Sequence, residues 1–133
     1  MKKTSLLLVM VLGLVMILTV SAEAQSEFSG RWTQVGVQGT YMIISSVSGN
    51  YTAIYVMGQT MCQFNELSIS GNTINMKGRY NSGEGFVTDL TFNLTLSDDR
   101  IMLSGTRWSD THWYARNGQP LHAADSIAVV FTR

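Results

Sequence analysis

Between Phe86 and Ser97 the chain alternates apolar and polar residues almost without error. Phe86, Leu90, Phe92, Leu94 and Leu96 fall on one face with Thr88, while Asp89, Thr91, Asn93, Thr95 and Ser97 fall on the other. Only Val87 breaks the pattern. A period of two is the signature of a strand with one face packed and the other wet. Ile74, Met76, Gly78 and Tyr80 alternate in the same way with Thr73, Asn75, Lys77 and Arg79. After residue 24, no stretch keeps apolar residues at helical spacing for ten or more positions. Ser48-Gly49-Asn50, Ser70-Gly71-Asn72, Asn81-Ser82-Gly83 and Ser97-Asp98-Asp99 separate the runs with residues that favour turns.

The pattern predicts eight strands: Gly30–Val37, Thr40–Val47, Tyr51–Met57, Met61–Ser70, Thr73–Tyr80, Gly85–Ser97, Arg100–Trp108 and Ser126–Thr132. Most are joined by short links, so successive strands must be antiparallel neighbours. The fold class is all-β, an eight-stranded antiparallel up-and-down meander. Eight strands suffice to close a barrel around packed side chains or one small ligand, and closure removes exposed edges. A β-sandwich built from the same strands is the alternative.

One connection breaks the rhythm. Ser109 to Asp125 holds the only proline, Pro120, and both histidines. Asn117-Gly118 within it is a two-residue hairpin signal. The expectation is an extra strand or lid hairpin at His112–Arg116 and a helical turn at Pro120–Ala124. Long loops of small barrels are places where function tends to sit.

The N-terminus follows a different pattern. Met1-Lys2-Lys3 is basic, Leu6 to Val20 is almost unbroken apolar, and Ala22-Glu23-Ala24 supplies small-x-small. These parts read as a secretory signal peptide over residues 1–24, cleaved before Gln25. The apolar run is shorter than the roughly 20 residues a helix needs to span a bilayer, so no membrane span is expected after cleavage. No Cys directly follows it to carry a lipid. Residues 25–133 are then expected to form a single β-barrel domain, periplasmic or extracellular and of bacterial character.

Composition narrows the chemistry. Residues 25–133 carry seven Lys/Arg against eight Asp/Glu, which gives no electrostatic case for a nucleic-acid partner. All five Phe, five Tyr and three Trp of the 133-residue chain lie there. Cys62 is the only cysteine, so an intramolecular disulfide is excluded and stability rests on the core. A buried, inert thiol is the reading preferred for it.

Gly30-x-Trp32 at the first strand and Arg133 after the last carry a resemblance. With the meander between them, the chain resembles the calycin group of lipocalins, avidins and small periplasmic protease inhibitors. The resemblance implies that Gly30, Trp32 and Arg133 close one end of the barrel, the basic side chain packing across the indole. A guanidinium over such a ring is worth about 0.5–2 kcal/mol. Where avidin-like chains follow the Trp with an Asn and a Ser that hold biotin, the nearby residues here are Gln34 and Gln38.

Trp108, Trp113 and Tyr114 cluster in sequence at the start of the long connection and read as an aromatic rim, against ordinary packing over the barrel end. Tyr41 and Tyr55, with Tyr51, sit on neighbouring strands and point either inward or onto the surface. Met42, Met57, Met61 and Met76 suit an adaptable apolar interior or simple core packing. His112 and His122 with Asp110 and Asp125 hold the donor types for zinc, but a spacing of ten residues does not enforce convergence, and solvated residues are the expectation. Nothing in the spacing pairs Cys62 with His112 as a nucleophile and base. No Gly-x-Ser-x-Gly, HExxH or phosphate-cradling loop is present. Two sequons, at Asn50 and Asn93, are expected to stay unused in a bacterial protein. The sequence therefore points to a non-catalytic module without cofactor or metal. Its partner is a small apolar or amphipathic ligand, with binding sites at Trp108, Trp113, Tyr114, Tyr41 and Tyr55. The alternative is a protein-interaction or protease-inhibitor-like module around a packed barrel, with a secreted protein as partner.

Overall fold

The computed structural model describes residues 27–133. The leader expected over residues 1–24 lies outside the described residues. Eight antiparallel strands close into one up-and-down barrel in sequence order. They are β1 (Gly30–Gln34), β2 (Thr40–Val47), β3 (Asn50–Met57), β4 (Thr60–Ser70), β5 (Thr73–Gly83), β6 (Phe86–Leu96), β7 (Met102–Tyr114) and β8 (Pro120–Thr132). The ring closes through β1 and β8, where Thr33 faces Thr132 and Gln34 faces Phe131. A sandwich of two open sheets is thereby excluded.

The alternation read from the sequence sets which wall each residue lines. Thr88, Leu90, Phe92, Leu94 and Leu96 of β6 are buried, as are Ile74 and Met76 of β5. Phe86, first in the same series, is 42% exposed because β6 begins at the barrel's open end. The interior is filled through its middle by Tyr55, Phe64, Phe92 and Phe131. Tyr55 meets Phe92 edge-on at 5.0 Å and Phe131 at 6.2 Å, while Phe64 lies 5.7 Å from Phe92. Edge-to-face aromatic pairs add about 0.5–1.5 kcal/mol each beyond the area they bury. Gly78 is inserted where no side chain fits: a Cβ there would stand 2.7 Å from the Gln63 carbonyl oxygen and 2.9 Å from Cys62 Sγ.

The hairpins follow turn chemistry. Ser48 (φ 52°) and Gly49 (φ 78°) form a two-residue loop with both residues left-handed, the geometry that matches the twist of antiparallel strands. The first strand is shorter than expected, ending at Gln34 rather than Val37. Left-handed backbone at Gly36 and Gly39 turns the chain before the apolar run can extend.

The largest correction concerns Ser109–Asp125. It is no separate lid, and Pro120–Ala124 is no helical turn. Strands β7 and β8 run on through it in unbroken register, from Leu103 opposite Phe131 to Tyr114 opposite Pro120. Residues 115–119 make the connection, with Ala115 N–H donating to the Gln119 carbonyl and Gly118 left-handed at φ 82°. Continuous pairing with β7 gives this segment cross-strand backbone partners in place of the local ones a helical turn would supply. Pro120, as the first residue of β8, gives up no ladder donor that an interior position would need. The result is a two-stranded arm that extends the barrel wall, largely exposed from Leu121 to Ser126.

Candidate functional site

The two ends of the barrel differ in chemistry. At the closed end, Trp32 is fully buried and its indole Nε1–H donates to the Phe28 carbonyl at 2.8 Å. The Arg133 guanidinium lies 4.3 Å from the centroid of the Trp32 ring. Its Nε donates to the Arg100 carbonyl at 2.8 Å and its Nη1 to the Ser29 carbonyl at 3.1 Å. Gly30 adopts φ 132°, a conformation side chains rarely tolerate, which lets the chain turn under that guanidinium. Arg100, itself left-handed at φ 63°, pairs with Glu27 at 2.8 Å. These contacts form a plug, not a ligand site.

Toward the open end the inner wall turns polar. Tyr55 Oη donates to Gln34 Oε1 at 2.6 Å, and both residues are buried. Burial raises the Tyr55 pKa, with the adjacent Arg107 pulling the other way. The Arg107 Nε–H is itself buried without a hydrogen-bond partner. Thr88 Oγ1 lies 2.8 Å from both Ser82 Oγ and Thr111 Oγ1, forming a hydroxyl layer above the aromatic core.

The five aromatic residues singled out from the sequence do not gather in one place. Tyr55 is in the core. Tyr41 lies on the outer wall, with the Arg31 guanidinium 3.9 Å over its ring. Trp108 is 39% exposed on the outer wall, opposite Thr91 on β6 and Ser126 on β8. Trp113 and Tyr114 are together at the end of the arm, Trp113 lying 5.8 Å from Phe86 and Tyr114 being 75% exposed. A groove of about 290 Å³ runs beside them, lined also by Arg79, Val87, His112 and Leu121.

The histidines converge although their spacing did not enforce it, and both stay solvated as expected, with side chains 45% and 65% exposed. Register places His112 directly opposite His122 on the arm, and their rings stack at 5.8 Å. Asp110 lies between them, 3.4 Å from His112 Nε2 and 3.0 Å from His122 Nδ1. Asp89 adds a second carboxylate 3.4 Å from His112. Arg79 grips Asp89 with Nε at 2.7 Å and Nη2 at 2.9 Å, and this pairing, ahead of the more distant His112, holds the Asp89 carboxyl below the usual range. Asp125 pairs in register with Ser109 and takes no part. Among the described residues no group of three or more such side chains has the geometry to hold a metal. Asn117-Gly118 marked the hairpin in the sequence but not its register: the connection runs over five residues, 115–119, and counting five positions out from its centre at Asn117 puts 112 beside 122.

Cys62 is fully buried within the barrel, whereas His112 is exposed on the arm, so the two do not form a nucleophile–base pair. Burial pushes the Cys62 thiol up to about 11. The unfolded thiol therefore ionises first, and stability is intact below about pH 9 and falls as pH rises toward 11. The raised Tyr55 acts in the same direction. Denaturation midpoints are expected to drop between pH 9 and 11, less so in Cys62→Ala relative to its own neutral-pH value. In the native state at pH 8 a thiol reagent should label Cys62 only at the rate of unfolding, and prompt labelling would contradict its burial.

In comparisons with known proteins no family model, no curated protein and no solved structure matches the chain. The class defined by the fold is an eight-stranded closed antiparallel β-barrel, compatible with a calycin-like architecture.

Proposed function

We propose that this chain is a secreted, calycin-like, non-catalytic interaction module that engages a protein partner through the β7–β8 arm. The observation that carries the reading is the contrast between interior and arm. Trp32, Tyr55, Phe64, Phe92 and Phe131 fill the barrel with side chains. Phe86, Tyr114 and Leu121 meanwhile stay more than a third exposed around Trp113. Apolar surface left out of a well-packed core, rimmed by Arg79 and the His112–Asp110–His122 group, suits a contact face. The leader expected over residues 1–24 supports a periplasmic or extracellular setting, and the near-neutral charge argues against nucleic acid. Protease inhibition is one form such a module takes within the resembled group.

A second reading, a small amphipathic ligand, draws on the 290 Å³ groove beside Trp113, close to the lower limit of small-molecule sites. Its apolar part would lie against Trp113 and Leu121, and an acidic group would face Arg79.

One experiment separates them. Wild type and the double variant Trp113→Ala/Tyr114→Ser are immobilised and exposed to the native secretome, and freshly purified protein is weighed by native mass spectrometry. The interaction reading expects a discrete protein captured by wild type and lost by the variant, whose melting point stays within a few degrees. A co-purifying small molecule with no captured protein would replace it by the second reading. Equal capture by both forms would remove the arm from either.

A further inference from the structure

The outer wall of β4–β7 carries a second surface, independent of the arm. A transverse row of side chains crosses it in register: Glu66 opposite Lys77, Lys77 opposite Thr91, and Thr91 opposite Trp108. The neighbouring row runs Ser68, Asn75, Asn93, with Asn93 Nδ2 donating to Asn75 Oδ1 at 2.7 Å. On the other side lies the Arg79–Asp89 pair, held by two hydrogen bonds. Two adjoining grooves of about 640 and 460 Å³ follow these rows and share Asn65, Glu66, Lys77 and Thr91.

Two local features turn this wall into a groove. The β4–β5 register slips between Phe64 and Glu66, so Asn65 is an extra, unpaired residue whose bulge re-aims it along both grooves. At the far end Trp108 is flanked on β8 by Ala124, Ser126 and Ala128, opposite positions 110, 108 and 106. These small residues cannot cover an indole, which remains 39% exposed at the end of a groove whose other lining residues are mainly polar.

The charges identify the ligand class. Glu66 and Asp89 are balanced by Lys77 and Arg79, so the lining has no net charge to attract an ion. It offers amide, carboxylate, hydroxyl and ammonium groups, a mixture of donors and acceptors that matches a polyhydroxylated molecule. The indole supplies a flat apolar face for the C–H side of a sugar ring. Four strands about 4.8 Å apart give a track of about 14 Å, enough for several linked rings.

The geometry points to a binding site for a neutral oligosaccharide along the outer wall of β4–β7, with Trp108 as the stacking platform and Asn65 and Lys77 among the hydroxyl partners. Isothermal titration with cellohexaose, laminarihexaose, mannohexaose and N-acetylchitohexaose tests it on the purified full-length mature protein. At least one of the four is expected to bind, with Trp108→Ala weakening it about tenfold or more, as loss of a central aromatic contact does. Trp108→Phe should retain part of the affinity, Asn65→Ala should weaken binding by a smaller factor, and Trp113→Ala should leave it unchanged. Melting curves verify that each variant is folded. Absence of binding by all four sugars at millimolar concentration would overturn the assignment. So would binding that Trp108→Ala leaves intact in folded protein.

Discussion

Trp32→Ala is expected to cost about 3–5 kcal/mol of unfolding free energy, a large share of the roughly 5–15 kcal/mol that stabilises a domain of this size. The indole is fully buried and fills the closed end of the barrel. Its removal leaves a void that the β1 and β2 backbones, paired from Gly30–Ile44 to Thr33–Tyr41, cannot collapse into. It also strips the Phe28 carbonyl of its donor and the Arg133 guanidinium of the ring beneath it. Arg133→Ala should be milder, because it removes a stacking contact and two surface hydrogen bonds and little core volume. Urea denaturation of the two variants measures the difference. A Trp32→Ala loss below about 1 kcal/mol would mean that the plug contributes no core volume.

Gly105→Ala should be comparably damaging for a different reason. Gly105 pairs with Leu94 inside the β6–β7 ladder, two pairs in from its Leu96–Leu103 end. A Cβ added there would overlap the Asn93 carbonyl oxygen far inside contact distance and would press on the Leu94 Cα at 3.1 Å. These are backbone atoms of a paired strand, so no rotamer change relieves the clash and the ladder itself must separate. The expected cost is about 3 kcal/mol or more. Gly118→Ala is the control: it sits at φ 82° in the arm's turn with nothing near the added methyl, and should lose only about 1 kcal/mol. Parallel denaturation of the two decides it. Equal, mild losses would show that the β6–β7 pairing has slack at Gly105.

Strands declared themselves in the sequence wherever burial was one-sided. The alternation from Thr88 to Leu96 named the inward residues of β6 directly, because the inner wall admits only what packs and the outer wall tolerates anything polar. The arm was illegible for the same reason. From Ser109 to Asp125 neither face is buried, so hydrophobic period carries no information there. The strand pairing had to be inferred from the turn at Asn117-Gly118 alone. Ends of strands were likewise misjudged where glycine conformation decided them, as at Gly36 and Gly39 after β1. The aromatic residues were recognisable as exceptional, but their grouping was not. Trp108 and Trp113 differ by an odd number of positions and so fall on opposite faces of β7, while Tyr41 and Tyr55 lie back to back on β2 and β3. The bulge at Asn65 shows in the sequence only as a change of phase, the apolar positions of β4 passing from Cys62 and Phe64 to Leu67 and Ile69, a break that a single-strand reading of Met61–Ser70 passes over.

The seam between β1 and β8 has a kinetic meaning. Every other strand pairs with its immediate successor in the chain, so each contact closes a short loop and forms early. The seam instead joins Thr33 to Thr132 across nearly the whole domain, yet it rests on two register positions and a Val35 N–H to Val130 carbonyl bond. The largest loop-closure entropy is thus assigned to the smallest ladder. Ring closure is then expected as the last event in folding and the first to be undone. A chain caught with its seam open presents two complementary strand edges, β1 and β8, of its own kind. Two such chains can complete each other's ring by exchanging their first strands, at no cost in native contacts beyond the hinge between Val35 and Gly39.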